Sequence, residues 1–195
     1  VVIGGGTIQD TATFLASIYM RGLSWTYMPS TVLAMDDSCI GGKSSINVLS
    51  YKNLVGNFHP PREIVIDLDL VTTLDREMVV GGLFEAGKIC FAHGPERFRE
   101  YLRLAPEAAM SPAALLPIVN LSLRTKKWFI EIDEFDEKER LLLNFGHTFG
   151  HAIEGATEFE VSHGIAVGVG MLAACVFAER QDILAHDGRE NVMAL

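Results

Sequence analysis

Val1-Val-Ile-Gly-Gly-Gly-Thr-Ile-Gln-Asp10 runs from a short β-branched stretch straight into three glycines and then into polar residues. A strand that breaks on glycine and gives way to helical periodicity is the opening of a nucleotide-binding α/β unit. Ala12, Leu15, Ala16, Ile18 and Tyr19 supply that periodicity, and a helix is expected from Asp10 to about Arg21. Trp25 to Met28 follows as a strand ended by Pro29, and the β-branched Glu63-Ile-Val-Ile-Asp67 reads as a further, buried strand.

From about Val71 the pattern turns helical, with stretches near 75–92, 94–103, 112–131, 138–154 and 163–180, and Ala105 to Pro112 reads as a connector. An α/β unit over residues 1–70 is therefore expected to meet a helical one over 71–195, with a cleft at the boundary. Both ends look cut. The first residue already lies in a strand, with no room for the elements that usually precede one, and Glu190 to Leu195 carries no capping signal, so the sequence is expected to be a piece of a longer protein.

The chain has 195 residues, 49% hydrophobic and 21% charged, which is ordinary globular composition. Its net charge of −9 argues against nucleic acid as a partner. An anionic substrate would need a local cationic cluster. Cys39, Cys90 and Cys175 are odd in number and far apart, which fits a reducing cytoplasm rather than a disulfide framework. The longest apolar run, Ile165 to Ala178, has 14 residues, short of the roughly 20 that span a bilayer. It reads as a buried helix, and no membrane association is expected.

His147 and His151, in Asn144-Phe-Gly-His-Thr-Phe-Gly-His151, are four residues apart and share one helical face. No Glu follows His147 directly, so the general-base logic of the zincin helix is absent. His163 comes 12 residues later. A catalytic zinc wants three His or carboxylate ligands and an open position, and these histidines with one acid are the candidates. Glu85 and Lys88, three apart, could be a surface ion pair, but Leu83, Phe84, Ile89 and Cys90 around them leave little polar face and favour burial near a ligand. Asp37-Ser-Cys-Ile-Gly-Gly-Lys43 and Tyr51-Lys-Asn53 pair lysine with glycine or asparagine, as phosphate sites do, yet neither matches a P-loop. Lys126, Arg140 and Asn144 lie on the approach to the histidines.

Together with Tyr19-Met-Arg-Gly22, Pro29-Ser-Thr31, Gly82-Leu-Phe-Glu-Ala-Gly-Lys88, the run on to Glu154 and Ser162-His-Gly164, these motifs resemble the dehydroquinate synthase family, the sugar phosphate cyclases, over residues 1 to about 175. The resemblance implies a Rossmann-like α/β NAD-binding domain, incomplete at its N-terminus, followed by an all-α metal-binding domain, usually in a homodimer. It makes Glu85, His147 and His163 the ligands of Zn2+ or Co2+ and moves His151 to the substrate. It puts NAD on Gly5, Gly6, Thr7, Asp10, Ser30, Thr31, Asp37, Lys52 and Thr73. A small phosphorylated sugar acid would meet Lys43, Asn53, Lys88, Lys126, Arg140, Asn144 and His151, with Arg21 reaching the neighbouring subunit. The implied reaction turns 3-deoxy-arabino-heptulosonate 7-phosphate into 3-dehydroquinate.

Three residues depart from the family pattern: Gln9 and Tyr51 stand where glycine is usual, and Met78 where an acid commonly meets the cofactor. Sibling cyclases that make deoxy-inosose or valiolone precursors typically change the positions of Arg140, Asn144 and His151, all retained here. Iron- or zinc-type alcohol dehydrogenases join similar domains and form the remaining enzymatic alternative.

Overall fold

The structure, a computed structural model, describes residues 1–49, 51–184 and 192–193, the Lys52 side chain excepted. Three parallel strands form the N-terminal layer: β1 (Val2–Gly4), β2 (Thr26–Pro29) and β5 (Glu63–Ile64), in the order β1-β2-β5. Val2 pairs with Tyr27, and Tyr27 with Ile64. Tyr27 is fully buried, and its hydroxyl donates to the Gly4 carbonyl at 2.9 Å, tying the glycine turn to the central strand. Between β2 and β5 lies an antiparallel hairpin that the sequence reading missed, β3 (Ile46–Val48) and β4 (Tyr51–Val55).

Helix α1 (Gly6–Ile18) begins four residues before the expected Asp10, because β1 ends at Gly4, Gly5 is the N-cap and Gly6 is already the first helical residue. Gln9, the unusual residue there, is buried at 4% exposure. Its amide donates to the Ser38 carbonyl at 2.6 Å and accepts from the Ser38 hydroxyl at 2.7 Å. It bolts α1 to a single π-turn, Ala34–Ser38, closed by the Cys39 N–H onto the Ala34 carbonyl. The extra residue of that turn sends Asp36 into the core and Asp37 toward the helical half.

Among the described residues five α-helices follow: α2 (Arg76–His93), α3 (Pro95–Ala108), α4 (Pro112–Ile132), α5 (His147–Ala156) and α6 (His163–Arg180). Asp75 caps α2 by accepting from the Met78 N–H at 2.8 Å, and Gly94 ends it with a positive φ, after which Pro95 starts α3. The expected connector from Ala105 is helical as far as Ala108, with Pro106 accommodated inside α3. The expected helix 138–154 is instead a 3-10 turn, Glu139–Asn144, and α5, because Gly146 at φ 80° breaks the run. The end of the expected helical domain, at 185–191 and 194–195, lies outside the described residues.

Central α2 packs against α3, α4 and α6. At one point of its crossing with α6 backbone meets backbone: a Cβ on Gly164 would stand 2.2 Å from the Gly81 carbonyl oxygen. The largest core cluster joins Val32 and Met35 to Val71, Leu83, Leu115 and Ile118, so the halves on either side of residue 70 share one hydrophobic core. By length and composition α6 could cross a membrane, with 18 residues at mean hydropathy 1.3. Here it packs on α2 and α5 and leaves Val169 and Phe177 exposed on its other face.

Candidate metal centre between two cavities

Glu85 rises from the middle of α2 with a side chain 1% exposed. One of its oxygens, Oε2, accepts from Lys88, one turn along the same helix. The other, Oε1, is buried and receives no hydrogen bond from the described residues. Facing it are His163 Nε2 at 3.5 Å, from the start of α6, and His147 Nε2 at 4.0 Å, from the start of α5. The close Gly81–Gly164 contact is what lets α6 deliver His163 this close to α2.

The rings are prepared as ligands. The His147 Nδ1–H donates to the Phe145 carbonyl at 3.4 Å, leaving the Nε2 lone pair toward Glu85. Burial, with the Lys88 charge and His163 adding to it, pushes the His147 imidazole down to about 3, so the ring is neutral at physiological pH. Two lone-pair nitrogens and an orphaned carboxylate oxygen within 4.8 Å of one another are a set of like donors. A cation at their centre would satisfy all of them at once, and the N2O set suits Zn2+ or Co2+. Glu85, His147 and His163 thus meet as expected from the resemblance. His151 sits beside them, its ring 5.4 Å from that of His147 and 5.8 Å from that of His163.

On one side of this centre a cavity of about 200 Å3 is lined by Lys43, Lys88, Lys126, Arg140, Asn144, His147 and Asp37. Its cations are partnered: Lys43 with Asp136, Lys126 with Asp37, and Lys88 with Glu85 and, at 3.5 Å, Asp37. Burial alone would raise the Asp37 carboxyl, but Lys126 and then Lys88 outweigh it and hold it far below the usual range. Burial works against the Lys88 ammonium too, and Glu85 and Asp37 outweigh it there, so Lys88 stays charged. The Arg140 guanidinium donates to the Glu134 carbonyl at 2.6 Å and lies beside Gly41. Gly41 is favoured by its φ of +91°, and a Cβ there would displace the end of the Arg140 side chain, whose nitrogen lies 2.2 Å away. That glycine lies against the cavity's own arginine.

On the other side a cavity of about 400 Å3 is lined by Gly6, Thr7, Asp10, Thr31, Met78, Gly81, Ser162 and His163. Gln9, Asp10 and Ser38 line both cavities, and of the proposed ligands His147 lines the first and His163 the second. Gly5 caps α1 without a side-chain bond, leaving first-turn N–H groups for an anion. Burial lifts the Asp10 carboxyl to about 6, against the Ser45 N–H it accepts from.

Not every residue assigned to the site arrives there. Asp37, expected at the cofactor, is drawn into the lysine cavity by its two ammonium partners. Thr73 is exposed and spends its hydroxyl on the Leu70 carbonyl. Ser30 contributes its backbone N–H to the Gly4 carbonyl at 3.0 Å. Asn53 stands on the exposed hairpin, accepting from Ser45, and Arg21 is exposed at the kinked end of α1. Lys52 lies in β4, but its side chain is outside the described part. Conversely, Asp136, Asp133 and Glu154 were not anticipated. Asp133 accepts the N–H groups of Glu137, Lys138 and Arg140 and shapes the turn that presents Arg140. Its DEFDEK surroundings look like solvated charge in the sequence.

The family model described as 3-dehydroquinate synthase N-terminal matches residues 1–80, and that described as 3-dehydroquinate synthase C-terminal matches 82–195. The chain belongs to the 3-dehydroquinate synthase family. It is 42% identical to the 3-dehydroquinate synthase of Saccharolobus solfataricus over 99% of this chain and 55% of that protein. The match to the enzyme of Thermoanaerobacter sp. is 40% over 100% of this chain and 55% of the relative. The chain thus spans about half the length of these curated relatives. Among solved structures, a 2-deoxy-scyllo-inosose synthase complexed with carbaglucose-6-phosphate, NAD+ and Co2+ superposes with a TM-score of 0.90 at 30% identity, over 100% of this chain and 53% of that one. A 2-epi-5-epi-valiolone synthase from Streptomyces hygroscopicus with NAD+ and Zn2+ bound does so at 0.87 and 28%, over 98% of this chain and 54% of that one. An iron-containing alcohol dehydrogenase of Thermotoga maritima, 15% identical with a TM-score of 0.63, shares the fold.

Proposed function

We propose that the protein carrying this chain is a 3-dehydroquinate synthase, an NAD- and divalent-metal-dependent lyase that converts 3-deoxy-arabino-heptulosonate 7-phosphate to 3-dehydroquinate and phosphate. The observation that carries this reading is the orphaned Glu85 oxygen, faced by His147 and His163 between a glycine-turn cavity and a four-cation cavity. When bound, NAD takes and returns a hydride, and the metal polarises the oxygen at the carbon that loses it. Gly5, Gly6 and Thr7 at the N-terminus of α1 hold the cofactor's pyrophosphate, with Asp10 and Thr31 beside it. Lys43, Lys88, Lys126 and Arg140 bind the substrate's carboxylate and phosphate, and Asn144 a hydroxyl.

His151 relays the hydroxyl proton away from the substrate as the ketone forms. That ketone acidifies the neighbouring C–H, whose proton passes to an oxygen of the substrate's own phosphate as it leaves, and the cations stabilise the enolate and the departing phosphate. Reduction, ring opening and intramolecular aldol closure complete the sequence with no net oxidation. The enzyme works in the cytoplasm as a homodimer, for which the free buried cysteines and the exposed Arg21, away from its own chain's cavities, are the support.

The test is product identity. Full-length protein with NAD and zinc is given heptulosonate 7-phosphate, sedoheptulose 7-phosphate or glucose 6-phosphate, and released phosphate and carbocycle are measured. Dehydroquinate from the first alone is expected; turnover of only the others would assign a sibling cyclase, and net NADH from a simple alcohol a dehydrogenase.

A further inference from the structure

His147, His151 and Glu154 sit at positions i, i+4 and i+7 of α5, on one face of the helix. Glu154 is 5% exposed. A carboxylate that deep needs polar partners, and it lies between two rings. Its Oε1 accepts from His163 Nδ1 at 3.3 Å, while its Oε2 is 3.9 Å from His151 Nε2, an electrostatic contact too long for a hydrogen bond. A carboxylate oxygen accepts, so the His163 proton is on Nδ1 and the lone pair on Nε2, the atom facing Glu85 at 3.5 Å. For His147 the Phe145 carbonyl does the same work. For His163 no backbone group does so among the described residues.

We infer that Glu154 is a positioning residue for the metal centre: it fixes the tautomer and the orientation of His163, and its second oxygen draws His151 to the same anchor. The inference rests on Glu85, His147 and His163 being the metal ligands. The geometry also admits a rival, since His151, Glu154 and His163 could by themselves surround an ion. An ion held there through His163 Nδ1, the nitrogen 3.3 Å from Glu154 Oε1, would displace the proton that the hydrogen bond places on it.

Two measurements separate these readings. In the metal-free protein, 15N-resolved imidazole spectra at about pH 8, above the ordinary histidine range, report the tautomer of His163. The Nδ1–H form is expected in the parent and in Glu154→Gln, whose amide oxygen still accepts, and the Nε2–H form in Glu154→Ala. Titration with Co2+, followed by its visible absorption and corrected for folded fraction by far-UV circular dichroism, is expected to show one ion per chain. Affinity should fall by about 10- to 100-fold in Glu154→Ala, with most of it recovered in Glu154→Gln. An unchanged tautomer and unchanged affinity in Glu154→Ala would overturn the inference. So would two ions in the parent, of which Glu154→Ala loses one and keeps the other at full strength. A parent that binds no Co2+ removes the ligand assignment itself, and the tautomer then shows separately whether Glu154 orients the ring.

Discussion

Asp36 and Asp37 are neighbours with opposite fates, and the π-turn is the reason. Asp37 meets two ammonium groups, whereas both carboxyl oxygens of Asp36 are buried without a hydrogen bond from the described residues. Burial, reinforced by the charges of Asp37 and Glu85, pushes the Asp36 carboxyl well above its ordinary value against the pull of Lys126 and Lys88. A carboxyl raised in this way binds more protons folded than unfolded. Its contribution to stability is therefore lost as pH rises from about 3.8, the ordinary value, until the folded value is passed. Asp36→Asn removes that titration, and its urea midpoint should decline less steeply than the parent's over that range. Parallel declines in both proteins would refute a buried neutral acid. Lys126 acts on the other side of the pair, donating to the Asp37 carbonyl at 2.7 Å as well as to its carboxylate. Lys126→Ala should leave Co2+ affinity unchanged and raise KM for the sugar phosphate by roughly 10- to 100-fold, the worth of a charge-assisted hydrogen bond. A lost metal with an unchanged KM would move Lys126 out of the substrate's reach.

The helices make the site by how closely they cross. Replacing an exposed helical glycine by alanine usually stabilises by about 0.5–1 kcal/mol. Gly155 in α5 has open space around its missing Cβ, and Gly155→Ala is expected to gain up to that amount. At Gly164 the same change drives a methyl into the Gly81 backbone, which cannot rotate away, and overpacking of this kind costs about 1–3 kcal/mol. Because α2 carries Glu85 and α6 carries His163, Gly164→Ala should also weaken Co2+ binding, whereas Gly155→Ala should not. Equal metal affinities and melting temperatures in the two variants would show that the crossing does not set the ligand geometry.

At the scale of the molecule, metal, fold and shared core are linked. The three proposed ligands lie on three helices, so an ion bound to the folded state alone would stabilise it by about 2.7 kcal/mol at a hundred times its Kd. For a chain of this size that is roughly 5–10 °C in Tm. Thermal scans with Zn2+ and with chelator should differ by this much in the parent and not at all in His147→Ala, which keeps too few ligands to hold the ion. An identical shift in that variant would place the ion elsewhere.

What the sequence determined alone was whatever depends on local order. The glycine turn after β1, the apolar periodicity of the helices, the i,i+3 pair Glu85–Lys88 and the i,i+4 histidines were all legible, because a helix or a strand maps spacing onto a face. The acid among the proposed ligands and the proposed choice of His163 over His151 needed the family resemblance, since spacing within α5 favours His151. Tertiary structure decided the rest. That Gly41 lies against Arg140, that Asp37 belongs to the lysines and that Glu154 underlies two histidines depend on groups up to 99 residues apart brought within a few ångströms. Such pairings leave no periodicity in a single chain. They follow from the close crossing of α2 and α6 and from the extra residue of the π-turn, which set those distances only once the core is packed.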